Sequence, residues 1–197
     1  ISLYDILEAA DGQLFGEAGA ALFTDFCLDA RQAQAGALFV ALKTEQGDGH
    51  QFMREAAENG ALGIMCQRPP DFDTDGLTVI VMRDVEAALL KWARIALKKL
   101  GTTVIAVAGG AAATTAREAI AAVLSMQHRV YKSADSFSGK FSLPLTLGKL
   151  AAEDKFAILE MPHTHDGGMS ELAEIVKPLV GVVTDLNYSG MGRFDQR

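Results

Sequence analysis

Thr103-Val104-Ile105-Ala106-Val107-Ala108-Gly109-Gly110-Ala111-Ala112-Ala113-Thr114-Thr115 is the stretch on which the fold turns. Its first half is a continuous apolar run, which reads as a buried strand. Gly109-Gly110 supplies a tight turn, and a helix is expected from about Thr114 to Met126. Strand, turn and helix in that order begin a βαβ unit, and the order recurs downstream. Phe156-Ala157-Ile158-Leu159-Glu160 and Val180-Gly181-Val182-Val183-Thr184 read as strands flanking a helix over residues 169–176. Alternation of this kind predicts an α/β layer with a largely parallel sheet in the second half of the chain.

The same alternation extends upstream. Ser2 is placed to cap a helix through Ala10, and Gly36-Ala37-Leu38-Phe39-Val40-Ala41-Leu42 reads as a strand. Residues 51–59 read as a helix stopped by Gly60. Leu62-Gly63-Ile64-Met65-Cys66 and Leu77-Thr78-Val79-Ile80-Val81-Met82 read as strands around a Pro-, Asp- and Gly-rich loop. A long amphipathic helix follows from Val85 to Leu100, with Trp92 on its packing face at the domain junction and Lys98-Lys99 at its solvated end. The predicted boundary lies at Asp84. Residues 1–84 then form a small mixed α/β domain, and residues 85–197 form part of a P-loop-type, largely parallel α/β domain.

Composition bounds the function classes. Eighteen basic against twenty-five acidic residues give a net charge of −7, which disfavours a general nucleic-acid or anionic-membrane surface. With 49% hydrophobic and 22% charged residues, the 197-residue chain can bury a core in two small domains. Cys27 and Cys66 are too few for a disulfide framework and read as small core or loop residues of a reducing compartment. No apolar run approaches a membrane span, so a soluble, cytoplasmic protein is expected. His163, His165 and Asp166 lack a third anchored ligand, and a solvated loop is the better reading.

Two stretches carry a resemblance. Asp29-Ala30-Arg31, the Gly36–Leu42 run, Asp48-Gly49-His50-Gln51-Phe52 and Gly60-Ala61 occur in order and at sensible spacing. Together they resemble the N-terminal, nucleotide-sugar-binding domain of Mur ligases, whose pattern runs Asp-Ser-Arg, Gly-x-Leu-Phe-Val-Ala-Leu, Asp-Gly-His-x-Phe and Gly-Ala. Within that family the pattern is most similar to the branch that adds D-alanyl-D-alanine to UDP-muramoyl tripeptide in peptidoglycan (cell-wall) precursor synthesis. The resemblance implies Asp29, Arg31, Asp48, Gly49 and His50 as UDP-sugar-binding residues. For His50, a turn histidine bonded only locally is nearly as good a reading.

The second stretch is the strand-turn-helix itself, where the family carries the phosphate-binding loop Thr-Gly-Ser-x-Gly-Lys-Thr-Thr. Such a loop needs glycines so that backbone N–H groups approach phosphate, a Lys for the β/γ oxygens and a hydroxyl for Mg²⁺. Here Gly109, Gly110, Thr114 and Thr115 stand in the loop, while Ala112 replaces the second glycine and Ala113 the lysine. Loss of one such cation costs about 2.7–4 kcal/mol of transition-state stabilisation. Glu160, in Leu159-Glu160-Met161-Pro162, stands where the family's Glu helps bind magnesium, so Thr114 and Glu160 are the implied metal ligands. Further departures are Pro162 for a glycine, Ser136-Phe137-Ser138-Gly139-Lys140 for an Asn-rich loop, Asp185 for an Asn and Gly190 for a His.

The resemblance therefore implies an ATP- and Mg-dependent amide ligase acting on UDP-muramoyl peptides, with an ATP site that has lost its key cation. Three alanines in a row could be an engineered loop, but the departures elsewhere favour natural drift. Three functions stay open: a ligase relative with a degenerate site that uses ATP and Mg poorly or not at all, a non-catalytic scaffold pairing with an active ligase or with itself, and a fragment of an active ligase with an engineered loop. Arg197 follows closely on the last matched motif, and a piece of a longer protein is expected.

Overall fold

The computed structural model describes residues 1–10, 12–44, 47–133, 141–161 and 168–184. It divides into two compact units, Ile1–Ile95 and Ala96–Arg197, and the division falls inside a helix, beyond Asp84. In the first unit, helix α1 spans Leu3–Ala10, and Ser2 Oγ accepts from the Tyr4 N–H at its start. Strands β1 (Gln13–Phe15), β2 (Phe26–Cys27) and β3 (Leu38–Val40) follow, then the short hairpin β4 (Lys43–Thr44) and β5 (Gly47–Asp48). A 3-10 turn over Gly49–Phe52 runs into α2 (Met53–Glu58), then β6 (Gly63–Cys66) and β7 (Thr78–Val81).

The five-stranded sheet has the order β1-β7-β6-β3-β2. β2, β3, β6 and β7 run parallel, and β1 pairs antiparallel at one edge. Register explains why the central strands are apolar throughout. Phe39, Ile64 and Val79 lie side by side in one row and Val40, Met65 and Ile80 in the next, and all are buried. Strands covered on both faces carry no polar alternation. Phe39, Ile64 and Val79 join Met53 and Ala56 of α2 in one core cluster. Helix α3 (Val85–Leu100) contributes Trp92, whose ring meets Phe26 edge to face at 4.6 Å.

In the second unit β8 (Thr103–Ala108) leads through Gly109-Gly110 into α4 (Ala111–Leu124). The helix begins three residues before the expected Thr114, because the Ala111–Ala113 run is a strong helix former and continues the helix up to the turn. β9 (Val130–Lys132), α5 (Ser142–Leu147), β10 (Phe156–Glu160), α6 (Gly168–Val176) and β11 (Val180–Val183) complete the described part. The sheet order is β11-β8-β10-β9, parallel throughout. Ile105, Val107 and Ile158 of the sheet bury against Ala113 and Ala121 of α4. Among the described residues, no helix is long and apolar enough to cross a membrane.

Candidate functional site

In the first unit Asp29 opens a short 3-10 turn and accepts from the Arg31 N–H at 3.1 Å. The Arg31 guanidinium folds back on the same carboxylate through Nε (2.9 Å) and Nη2 (2.7 Å). These hydrogen bonds, led by that from the Arg31 side chain, hold the Asp29 carboxyl below its ordinary range. Arg31 is otherwise exposed, so the pair presents a pre-positioned cation at the surface.

Asp48 and His50 are built together in a second turn. Asp48 Oδ1 accepts from the His50 backbone N–H at 3.0 Å and lies 2.6 Å from Nδ1. The Gln67 backbone N–H lies 2.9 Å from His50 Nε2. A backbone N–H can only donate, so Nε2 is the acceptor and the ring proton sits on Nδ1, aimed at Asp48. Both ring nitrogens are thus engaged, and the His50 side chain is 3% exposed. The ring ties the 3-10 turn to the residue after β6. Arg68 Nη2 completes the group at 2.7 Å from Asp48 Oδ2. The His50 backbone N–H, with the His50 ring and Arg68, keeps the Asp48 carboxyl below its usual range. Gly49 is required by close approach, since a Cβ there would lie 2.9 Å from the backbone N and O of Leu42. Cys27, at the end of β2, donates its thiol to the Asp29 carbonyl at 3.0 Å. Cys66, on β6, is fully buried, and burial pushes its thiol up to about 11.

In the second unit the β8–α4 turn bends at Gly109 with φ 145°, which disfavours any side chain. Gly110 caps α4 without a side-chain bond, and its carbonyl accepts from the Ala113 N–H at 3.0 Å. Ala113 has no exposed surface and belongs to the apolar core cluster. Thr114 turns toward the end of β10, where its Oγ1 lies 3.2 and 3.1 Å from the two carboxylate oxygens of Glu160. Thr115, the next residue, is exposed.

The residue that organises this cluster belongs to no motif in the sequence. Arg117 is 1% exposed and donates through Nη1 to Glu160 Oε2 at 3.0 Å and through Nη2 to Glu118 Oε1 at 2.9 Å. Lys132 on β9 reaches Glu118 Oε2, and this bond, ahead of that from Arg117, holds the Glu118 carboxyl below its ordinary range. Ser133 Oγ accepts from the Glu160 backbone N–H at 3.0 Å. The local signal was a lone basic residue three positions after Thr114, on the same helix face.

The cluster sits at the carboxyl ends of parallel strands, where open α/β sheets take ligands. Among the described residues, a divalent cation beside Thr114 would find one carboxylate, Glu160, and one hydroxyl. Among the described residues, no three His, Cys, Asp or Glu side chains form a metal-ligand set. Two carboxylates, Glu118 and Glu160, already balance two cations, Arg117 and Lys132. As they stand these residues do not fit a divalent metal. Pro162, His163, His165, Asp166, Asp185, Gly190 and the 136–140 segment lie outside the described residues.

Residues 25–137 match the family model described as Mur ligase family, catalytic domain, and residues 107–197 match the Mur ligase middle domain. The chain belongs to the Mur ligase family. A UDP-N-acetylmuramoyl-tripeptide–D-alanyl-D-alanine ligase of Bacillus subtilis is 34% identical over 163 residues, covering 83% of this Mur ligase chain and 36% of the relative. The Escherichia coli enzyme of the same name is 29% identical over 191 residues, covering 94% of this chain and 40% of the relative. This chain thus spans about two fifths of the length of such relatives. Among solved structures, MurF from Acinetobacter baumannii superimposes with a TM-score of 0.86 at 23% identity, over 98% of this chain and 42% of that one. MurF from Thermotoga maritima, in complex with ADP, gives 0.72 at 28% identity over 84% and 38%.

Proposed function

We propose that this Mur ligase chain binds a UDP-muramoyl-peptide-like ligand through its first unit and does not turn over ATP through its second. The expected location is the cytoplasm, where such precursors are made. The exposed, carboxylate-anchored Arg31 is the group offered to an anionic nucleotide sugar, while Asp48, Gly49 and His50 shape the neighbouring turn. On this reading Gly109, Gly110, Thr114 and Thr115 are what is left of a phosphate loop.

The observation that carries the reading is Ala113. Where a phosphate-binding lysine would stand, the side chain is a methyl group sealed in the apolar core, and among the described residues no exposed cation takes its place on that turn. Phosphoryl transfer depends on charge neutralisation at the transferring group, so a loop of this composition loses turnover before it loses shape. Calorimetric titration of the chain with ATP·Mg and, separately, with UDP-muramoyl tripeptide tests both halves. Saturable heat is expected for the nucleotide sugar only. Micromolar ATP·Mg affinity with phosphate release overturns the reading of the loop, and absence of any nucleotide-sugar heat overturns that of the first unit.

A second reading, a scaffold that pairs with an active ligase or with another copy, has an observation of its own. β11 forms one end of the described sheet, and Val180 and Val183 on it, with Leu179 just before it, are exposed. Sizing by light scattering, alone and with an active ligase of the same branch, decides it. A monomer alone, and no species heavier than the two separate proteins in the mixture, removes this reading.

A further inference from the structure

Thr114 and Glu160 stand where the family resemblance puts a divalent cation, yet both carboxylate oxygens of Glu160 face protein donors. Thr114 Oγ1 lies 3.2 and 3.1 Å from them, and Arg117 Nη1 lies 3.0 Å from Oε2. Arg117 is one helical turn along α4 from Ala113, so its Cβ lies on the same helix face. A guanidinium stays protonated at every accessible pH, and this one is 1% exposed. Nor can it swing aside without loss, because Nη2 is fixed by Glu118, which Lys132 holds in turn.

We propose that Arg117 is the resident cation of this site: an internal counter-ion that neutralises Glu160 and keeps a divalent metal out. The inference deepens the reading of an ATP-inactive loop and rests on it. It adds a physical cause that the missing lysine does not supply. A metal drawn to Glu160 would bring two positive charges beside a buried one, and the Thr114 hydroxyl would have to abandon the carboxylate. The charge lost at position 113 has a counterpart four residues on, spent on holding the site together instead of on phosphate.

Mn²⁺ alone, added to the full chain, is the probe, with binding read by the paramagnetic resonance of free Mn²⁺ and by thermal melting with and without the metal. The wild-type chain is expected to show neither saturable binding nor a metal-dependent shift in melting. Arg117→Gln should gain at least ~10-fold in Mn²⁺ affinity and melt higher with Mn²⁺. Arg117→Gln combined with Glu160→Gln should lose both responses, and Arg117→Lys should remain blind to the metal. Should Arg117→Gln be unfolded alone, recovery of its circular dichroism on adding Mn²⁺, absent in the double variant, reads the same gain.

Wild-type Mn²⁺ binding that Glu160→Gln abolishes overturns the proposal. So does an Arg117→Gln chain that gains no affinity or does not recover with the metal. The two readings fail separately. Wild-type ATP turnover beside a metal site gained by Arg117→Gln sinks only the inactive-loop reading. An ATP-inert wild type whose Arg117→Gln variant stays metal-blind sinks only the counter-ion.

Discussion

Replacing His50 by Ala removes the Nδ1–H bond to Asp48 at 2.6 Å and the acceptor for the Gln67 N–H at 2.9 Å. The first is a bond to a charged group, worth about 1.5–3 kcal/mol, and the second a neutral bond of about 0.5–1.5 kcal/mol. Asp48 is not stranded, because the backbone N–H at position 50 and Arg68 still hold it. Gln67 is exposed, so water can satisfy its N–H. The expected loss is therefore about 2–4 kcal/mol rather than the larger figure for an abandoned buried charge. His50→Gln, which keeps an acceptor but cannot span both partners, should fall between.

Trp92 is the sole tryptophan and is buried in the first unit against Phe26, so its fluorescence in urea isolates that unit's unfolding. A His50→Ala chain within about 0.5 kcal/mol of wild type would refute the argument, since the two bonds would then contribute nothing in solution. Nucleotide-sugar affinity separates the roles further. With His50 as a positioning residue, affinity and stability fall together and His50→Gln partly restores both. A fully stable His50→Ala chain that loses more than tenfold in affinity would make the ring a ligand contact.

Ala113→Lys should not restore ATP turnover. It overpacks a fully buried position by about 1–3 kcal/mol and sets a second cation beside Arg117, so the far-UV melting temperature should fall with no phosphate released; an unshifted melt with ATP hydrolysis contradicts this. Asp48 has a folded pKa below its unfolded value, so its contribution is fully present above that unfolded value, about 3.9, and is lost as pH falls through the folded one. Wild-type urea midpoints should therefore drop more steeply on acidification below about pH 4 than those of Asp48→Asn, and parallel slopes would refute it. Trp92→Phe removes an indole N–H that is buried without a hydrogen-bond partner among the described residues, offsetting lost ring contacts. A net change within about 1 kcal/mol by circular dichroism is expected, and a loss above about 3 kcal/mol would show that the N–H is bonded.

The strands buried on both faces were legible in the sequence, because β8 and β10 are uninterrupted apolar runs whose ends coincide with turns. β1 was not: Gln13-Leu14-Phe15 is short, exposed along its length and held by its antiparallel pairing with β7. β2 and β9 are likewise fixed by neighbours, not by pattern. Helix α5 carries Pro144, which argues against a helix until its place is seen. It lies in the first turn, where its missing N–H has no intrahelical partner to lose. At the site, Thr114 and Glu160 were placed by motif, and the structure brings them together. Arg117 escaped because its meaning lies in a partner 43 positions away, and no local spacing encodes that.

The two thiols give this chain a chemical clock that needs no introduced probe. Cys66 lies on a central strand with its thiolate suppressed by burial, so a disulfide reagent reaches it only when β6 parts from its neighbours. Cys27 is half-buried beside the Asp29 turn and reacts from a far smaller opening. The interval between the two modifications therefore separates local fraying near Arg31 from opening of the sheet itself, and a ligand seated at that turn would lengthen the first time without needing to change the second.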